Sequence, residues 1–283
     1  MSRSIAIVTD STSDLPVEIQ RQFGISVIPL NVHFGQETLR DGIDLSADEF
    51  MGRLAISGKL PTTSQPAVGT FETAFRLLAE THDQILCVLI SSKLSGTVQS
   101  ARLAADLVAE TITVEVVDSL NVAYALGFQA IRAAQLADQA TPLAGIVSIL
   151  TAEVDLYHIV FFVETLEHLH RGGRIGKAAQ LLGTLLQLKP LLRVEEGQVV
   201  PFERSRTRSK ATAALIDFAR ELSDIEQVAV LYNTTPNDAR DLAASLGEML
   251  GMEQVPVLHI GPVISAHVGP GVLGIVVKEA PSA

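Results

Sequence analysis

The sequence predicts an α/β protein in two parts: an N-terminal, mostly parallel α/β sandwich and a C-terminal α/β part with a mixed sheet. Three observations carry this. Through the first half, apolar runs of strand length alternate with helix-like segments, the pattern of a parallel sheet covered on both faces. The segment 85–109 condenses that pattern, passing from an apolar strand through a small polar turn into an amphipathic helix. After Asp155 the order changes, and the turn Glu195-Glu196-Gly197 joins two strand-like runs into a hairpin. The boundary falls near residue 156, giving parts 1–156 and 157–283. No Pro/Gly/Ser-rich linker marks it, and the chain has no internal repeat or low-complexity tract.

In order, residues 5–8 form a buried strand ending at Thr9-Asp10-Ser11-Thr12, and Asp14-Leu15-Pro16 opens a short helix closed by Gly24. Residues 25–34 read as one strand, followed by a turn at Gly35-Gln36-Glu37. Ser46 and Glu49 make a capping box for a helix to about Ser57. Pro61-Thr62-Thr63-Ser64-Gln65-Pro66 is an extended loop rich in hydroxyl donors, since its prolines bar it from a helix interior or a central strand. Phe71, Ala74, Phe75 and Leu78 give the next helix its apolar face. A strand over 113–117, a helix of small residues over 123–137 and a helix after Thr141-Pro142 complete the first part. In the second part come a strand (157–163), a short helix (165–170) and a helix over 177–187. The hairpin, two helices (209–222 and from Pro236 to 250) and strands at 227–232, 256–260 and 272–278 follow, with 261–271 irregular.

The chemistry concentrates between strand and helix in the segment 85–109. Ser91, Ser92, Ser95, Gly96 and Thr97 lie where an open α/β sheet binds ligands, at a helix start whose free N–H groups favour an anion. The plainer reading of Ser95 or Thr97 is a helix N-cap.

Composition narrows the classes. With 283 residues, 47% hydrophobic and 19% charged, the chain has ample core. A net charge of −11 argues against nucleic acid and anionic membranes as partners. The single cysteine, Cys87, sits in an apolar strand and permits no internal disulfide. No run is long enough for a signal peptide or an integral membrane span, so the expected setting is the cytoplasm.

Several motifs match only superficially. Gly269-Pro270-Gly271-Val272-Leu273-Gly274 spells GxGxxG but leads into a strand, with no helix to hold a pyrophosphate. Gly176-Lys177 lacks the rest of a P-loop. Ser95, Asp10 and His267 would make a hydrolase triad, but Ser95 lacks the nucleophile elbow. His168 and His170 face apart on a short helix and make poor joint metal ligands. Arg204, Arg206, Arg208 and Lys210 form the one dense basic segment, either a solvated edge or a docking point for phosphate or an acidic partner.

Taken together, the motifs become specific. Val8-Thr9-Asp10-Ser11-Thr12-Ser13-Asp14-Leu15, the Pro61–Pro66 loop, Ser91-Ser92-Lys93-Leu94-Ser95-Gly96-Thr97 and Val117-Asp118-Ser119 resemble the DegV family. So do Glu164-Thr165-Leu166-Glu167-His168-Leu169 with Gly172-Gly173-Arg174-Ile175, Lys189-Pro190, and Gly261-Pro262-Val263-Ile264 with His267-Val268-Gly269-Pro270-Gly271. The resemblance runs over about residues 4–279. It implies a two-domain α/β protein that binds a long-chain fatty acid between its domains, without catalysis or cofactor of its own. In some members the acid is presented to a separate ATP-binding kinase subunit, which makes the acyl phosphate. It places the carboxylate on Thr63 and Ser95, with Thr62, Ser64, Gly96 and Thr97 completing the ligand-binding set. It assigns His267 and Arg206, or the neighbouring Arg204, to phosphate or kinase contact. The chain departs from the family at Leu120–Gly127, which bears on the acyl tunnel and its chain preference. The alternative class is a stand-alone kinase or hydrolase on a small anionic substrate; the missing P-loop, elbow and metal set count against it.

Overall fold

The computed structural model describes residues 5–183 and 188–281. It opens with β1 (Ile5–Asp10), a 3-10 turn over Ser11–Ser13 and α1 (Val17–Gln22), then β2 (Ile25–Ile28). The expected single strand over 25–34 is broken at Pro29, which has no N–H to give a ladder. Beyond the break, β3 (Asn31–Phe34) and β4 (Glu37–Arg40) belong to another sheet, so Glu37 starts a strand where a turn was expected. Leu30 fixes the break: its N–H donates to Ser11 Oγ at 3.0 Å and its carbonyl accepts from Asp41 N–H at 2.9 Å. The capping box forms, with Ser46 and Glu49 starting α2 (Ala47–Ile56). The hydroxyl-rich loop contains a strand, β5 (Thr62–Ser64), paired antiparallel with β3. Its prolines stand outside the paired residues, so the missing N–H groups break no ladder bond.

After α3 (Val68–Leu78) come β6 (Gln84–Leu89), α4 (Thr97–Val108) and β7 (Thr113–Asp118). Strands β2-β1-β6-β7 form an all-parallel sheet. The pleat sorts their side chains. Ala6 and Val8 face α3 and α4, while Ile7, Leu86 and Val88 face α5 (Ala123–Asp138) and α6 (Leu143–Ala152). Helix α5 is buried on almost every side, as its small residues suggest. At Gly127 an added Cβ would lie 2.8 Å from the Ser13 carbonyl, so only glycine allows this approach.

The remaining elements are β8 (Tyr157–Phe162), α7 (Glu167–Arg171), β9 (Lys189–Glu195), β10 (Gln198–Ser205), α8 (Arg208–Glu221), β11 (Ile225–Tyr232), α9 (Pro236–Leu250), β12 (Val257–His259), α10 (Pro262–Val268) and β13 (Leu273–Glu279). They build a six-stranded mixed sheet of order β10-β9-β8-β13-β11-β12, in which β11 and β12 run parallel and the other neighbours antiparallel. Two expectations are corrected here. The helix over 177–187 is a 3-10 segment, Gly176–Leu181, and residues 184–187 lie outside the described residues. The stretch 261–271 is not irregular: Pro262 at the first helical position opens α10, and Gly269, at φ 73°, ends it.

All strands of the parallel sheet precede residue 156 and all strands of the mixed sheet follow it. Helices α5 and α6 fill the space between the two sheets, and α8 and α9 cover the outer face of the mixed one. The three-stranded sheet β4-β3-β5 and α2 cover one end, where Val32 and Phe50 pack on Val263 and Ala266 of α10.

Candidate ligand-binding site

The inner face of the mixed sheet is the wall of a cavity. Ile159, Phe161, Leu231 and Val272 line it from the sheet side, and Ile90, Leu94 and Val122 from the opposite side. Its polar lining comes from Thr12, Thr63, Ser64, Gln65, Ser95, Arg174 and His267.

These groups converge because three distant segments meet. Strand β5 carries Thr63, whose Oγ1 lies 2.7 Å from His267 Nε2 in the last turn of α10. Gln65, just beyond β5, covers the turn after β6: a Cβ on Gly96 would lie 2.7 Å from Gln65 Nε2. Arg174 closes the ring, donating from Nε to the Leu94 carbonyl at 3.0 Å and from Nη1 to the Gly172 carbonyl at 2.8 Å. Gly172 in turn abuts His267, where a Cβ would lie 2.3 Å from Nδ1. Burial, with the Arg174 and His168 charges beside it, holds His267 down at about 4, so its ring is neutral at pH 7. Its Nδ1 is buried without a hydrogen-bond partner among the described residues.

The expected site residues therefore divide. Thr63, Ser64, Ser95 and His267 line one cavity. Ser64 is held by His33 Nε2 at 2.9 Å, and Thr62 is exposed. Gly96 and Thr97 do not line the cavity. Neither Ser95 nor Thr97 caps α4, whose N-cap position is Gly96 and carries no side-chain cap; their hydroxyls bond each other at 2.8 Å. Arg204 and Arg206 are exposed and do not reach the cavity. The basic segment is heterogeneous, because Arg208 is tied down while Arg204, Arg206 and Lys210 are exposed. Arg208 donates to Glu164 at 3.0 Å, the Gly271 carbonyl at 2.7 Å, Thr235 at 2.6 Å and Asp238, and it lies over the Phe162 ring. His267 sits in a helix and not in a loop. The triad does not assemble: His267 is bonded to Thr63, and Asp10 accepts from Thr12 and from Ile90 N–H. No group of metal-ligating side chains is present among the described residues. Val122 and Ala123, in the segment departing from the family pattern, line the cavity, with Ala123 in the left-handed region at φ 54°. Thr12, Gln65 and Arg174 are polar lining residues outside the expected set, although all three lie within the motifs that carry the family resemblance.

The opposite end of α10 is held by carboxylates. Gly261 N–H donates to Asp14 Oδ1 at 2.9 Å, and Asp41 accepts from Val263 N–H and from Ser11 Oγ at 2.8 Å. Burial raises all three nearby acids despite these donors: Asp10 to about 6, Asp41 to about 7, and Asp14 well above the usual carboxyl range.

The sequence model described as "Uncharacterised protein, DegV family" matches residues 4–280. A DegV domain-containing protein of Halalkalibacterium halodurans is 39% identical over 276 residues, covering 96% of this chain and 97% of its own. Among solved structures, a DegV family protein from Thermus thermophilus, named for its fatty acid binding, superposes with a TM-score of 0.91 at 35% identity, covering 98% of this chain and all of its own. DegV of Bacillus subtilis, named as a fatty acid binding protein, gives a TM-score of 0.89 at 34% identity with the same coverage. Sequence and fold agree over nearly the whole length of these proteins, and the chain belongs to the DegV family.

Proposed function

We propose that this protein binds a long-chain fatty acid in the cavity between its two parts, 1–156 and 157–283, and presents the carboxylate to a separate ATP-dependent kinase. The observation that carries the reading is an apolar cavity whose polar groups, Thr63, Ser95, His267 and Arg174, gather in one place. Burying about fifteen methylenes at roughly 0.8 kcal/mol each is worth on the order of 12 kcal/mol before ordering losses, so the apolar wall supplies the affinity. A carboxylate is costly to bury without donors. Thr63 and Ser95 supply hydroxyl protons. With His267 protonated at Nε2, its N–H donates to Thr63 Oγ1, which frees the threonine proton for the ligand. Arg174 adds a positive charge beside them. The bound head group is then available for phosphoryl transfer, which calls for cations around the transferred oxygens. Arg206 and Arg204, exposed at the end of β10, are suited to meet the phosphate or the kinase. In this reading the chain itself is not a catalyst. Among the described residues no helix is long and apolar enough to cross a membrane. Mass spectrometry under non-denaturing conditions, on protein purified without added lipid, is expected to show a long-chain fatty acid bound. A lipid-free protein that takes up no fatty acid overturns the proposal.

A further inference from the structure

The polar end of the cavity holds a side chain to which no role has yet been given. Gln65 lines the cavity together with Thr63 and Ser95, yet it is exposed, so it stands where the site meets solvent. Its position is fixed from two directions. Along the chain, Thr62–Ser64 are held in β5 by pairing with β3, and the buried Pro66 follows at once and restricts Gln65 to extended backbone. Across space, the carboxamide rests on Gly96 at the start of α4. Its Nε2, Cδ and Oε1 lie 2.7, 3.0 and 3.3 Å from where a Gly96 Cβ would stand. Gly96 has φ −76°, a value open to any residue, so the backbone does not require glycine here; the seat of the carboxamide does. The carboxamide itself makes no hydrogen bond among the described residues.

A carboxylate has about four lone-pair positions on its two oxygens. Thr63 and Ser95 each supply one hydroxyl. Arg174 commits Nε and Nη1 to the Leu94 and Gly172 carbonyls. On the solvent side of these groups, Gln65 brings an amide with two uncommitted N–H groups. Its neutrality suits an exposed position, because it donates to an anion without adding a charge that salt would screen.

Resting on the fatty acid reading above, we propose that Gln65 is a further head-group residue: seated on Gly96, its carboxamide donates from Nε2 to the fatty acid carboxylate and closes the solvent side of the site. Gly96 is then a specificity element in its own right, since the absence of a side chain there is what lets the amide lie over the turn.

The test is binding and release of myristic acid on the full-length protein. Gln65→Met keeps the length of the side chain and removes its N–H groups. Gln65→Glu keeps the shape and sets a carboxylate against the ligand's. Gln65→Met should weaken binding about fivefold, chiefly through faster release, and Gln65→Glu should weaken it further, by about tenfold or more in all. A residue that only packed on Gly96 would leave both variants near wild type, because both fill the same seat. Gly96→Ala, which displaces the carboxamide without straining the backbone, should reproduce the loss in Gln65→Met, and the two substitutions combined should bind no more weakly than either alone. If the wild type binds myristic acid and Gln65→Met and Gln65→Glu bind it equally well, or if the losses in Gly96→Ala and Gln65→Met add in full, the assignment of Gln65 is wrong while the fatty acid reading stands. If the wild type takes up neither myristic acid nor any other long-chain acid, both fall.

Discussion

Helix α10 carries the two most unlike polar environments of this protein, one at each end. At its start Asp14 and Asp41 accept helix N–H groups, yet burial drives both toward the neutral acid. At its finish His267 is driven toward the neutral base and meets a hydroxyl. The first end has its donors supplied by the fold and serves to anchor the helix across the two parts of the chain. The second leaves the hydroxyls of Thr63 and Ser95 and the guanidinium of Arg174 lining an apolar cavity. The same desolvation thus makes one end a structural joint and the other a place where an added anion would find donors.

The sharpest way to separate the two ends is to test turnover. With a cognate kinase and ATP, His267→Ala and Arg206→Ala are expected to retain fatty acid by mass spectrometry yet form no acyl phosphate. Wild-type rates in both variants, or lipid lost from both, would refute the assignment. Next in size is the effect on binding. Thr63→Val combined with Ser95→Ala removes two bonds to a charged group at roughly 1.5–3 kcal/mol each, so fatty acid affinity should drop by about a hundredfold or more in a folded protein. Unchanged lipid retention in that variant would show that the hydroxyls are not the carboxylate partners.

The smallest effect belongs to the anchoring end and is read as stability against pH. Asp41 and Asp10 favour the protonated form in the folded protein, at about 7 and about 6. Their stabilisation is complete below the ordinary carboxyl range and is lost as pH rises through those values, each contributing on the order of 2–4 kcal/mol. The denaturant midpoint should therefore be higher near pH 5 than near pH 8, and Asp41→Asn should flatten the difference. An equally steep fall in Asp41→Asn would point to other groups.

Local chemistry fixed much of this fold in advance. The apolar runs at β1, β6 and β8 can be satisfied only by burial, Ser46 with Glu49 caps α2 through contacts three residues apart, and the small residues of α5 admit packing on every side. Those are short-range or compositional facts, and a sequence displays them. The motif order likewise made Thr63, Ser95 and His267 conspicuous together. What needed the folded chain was everything set by partners far apart. Pro29 breaks a strand because Leu30 finds Ser11 and Asp41, and Thr62–Ser64 becomes a strand because β3 is there to pair with it. Helix α10, seven residues long, is too short to show a period, and its start is stabilised by carboxylates some 220 to 250 positions away in the chain. The contact between Thr63 and His267 spans 204 positions, and Arg174 reaches Leu94 across 80. No periodicity encodes such pairs; they exist only once two sheets have closed on α5 and brought their loops to one cavity.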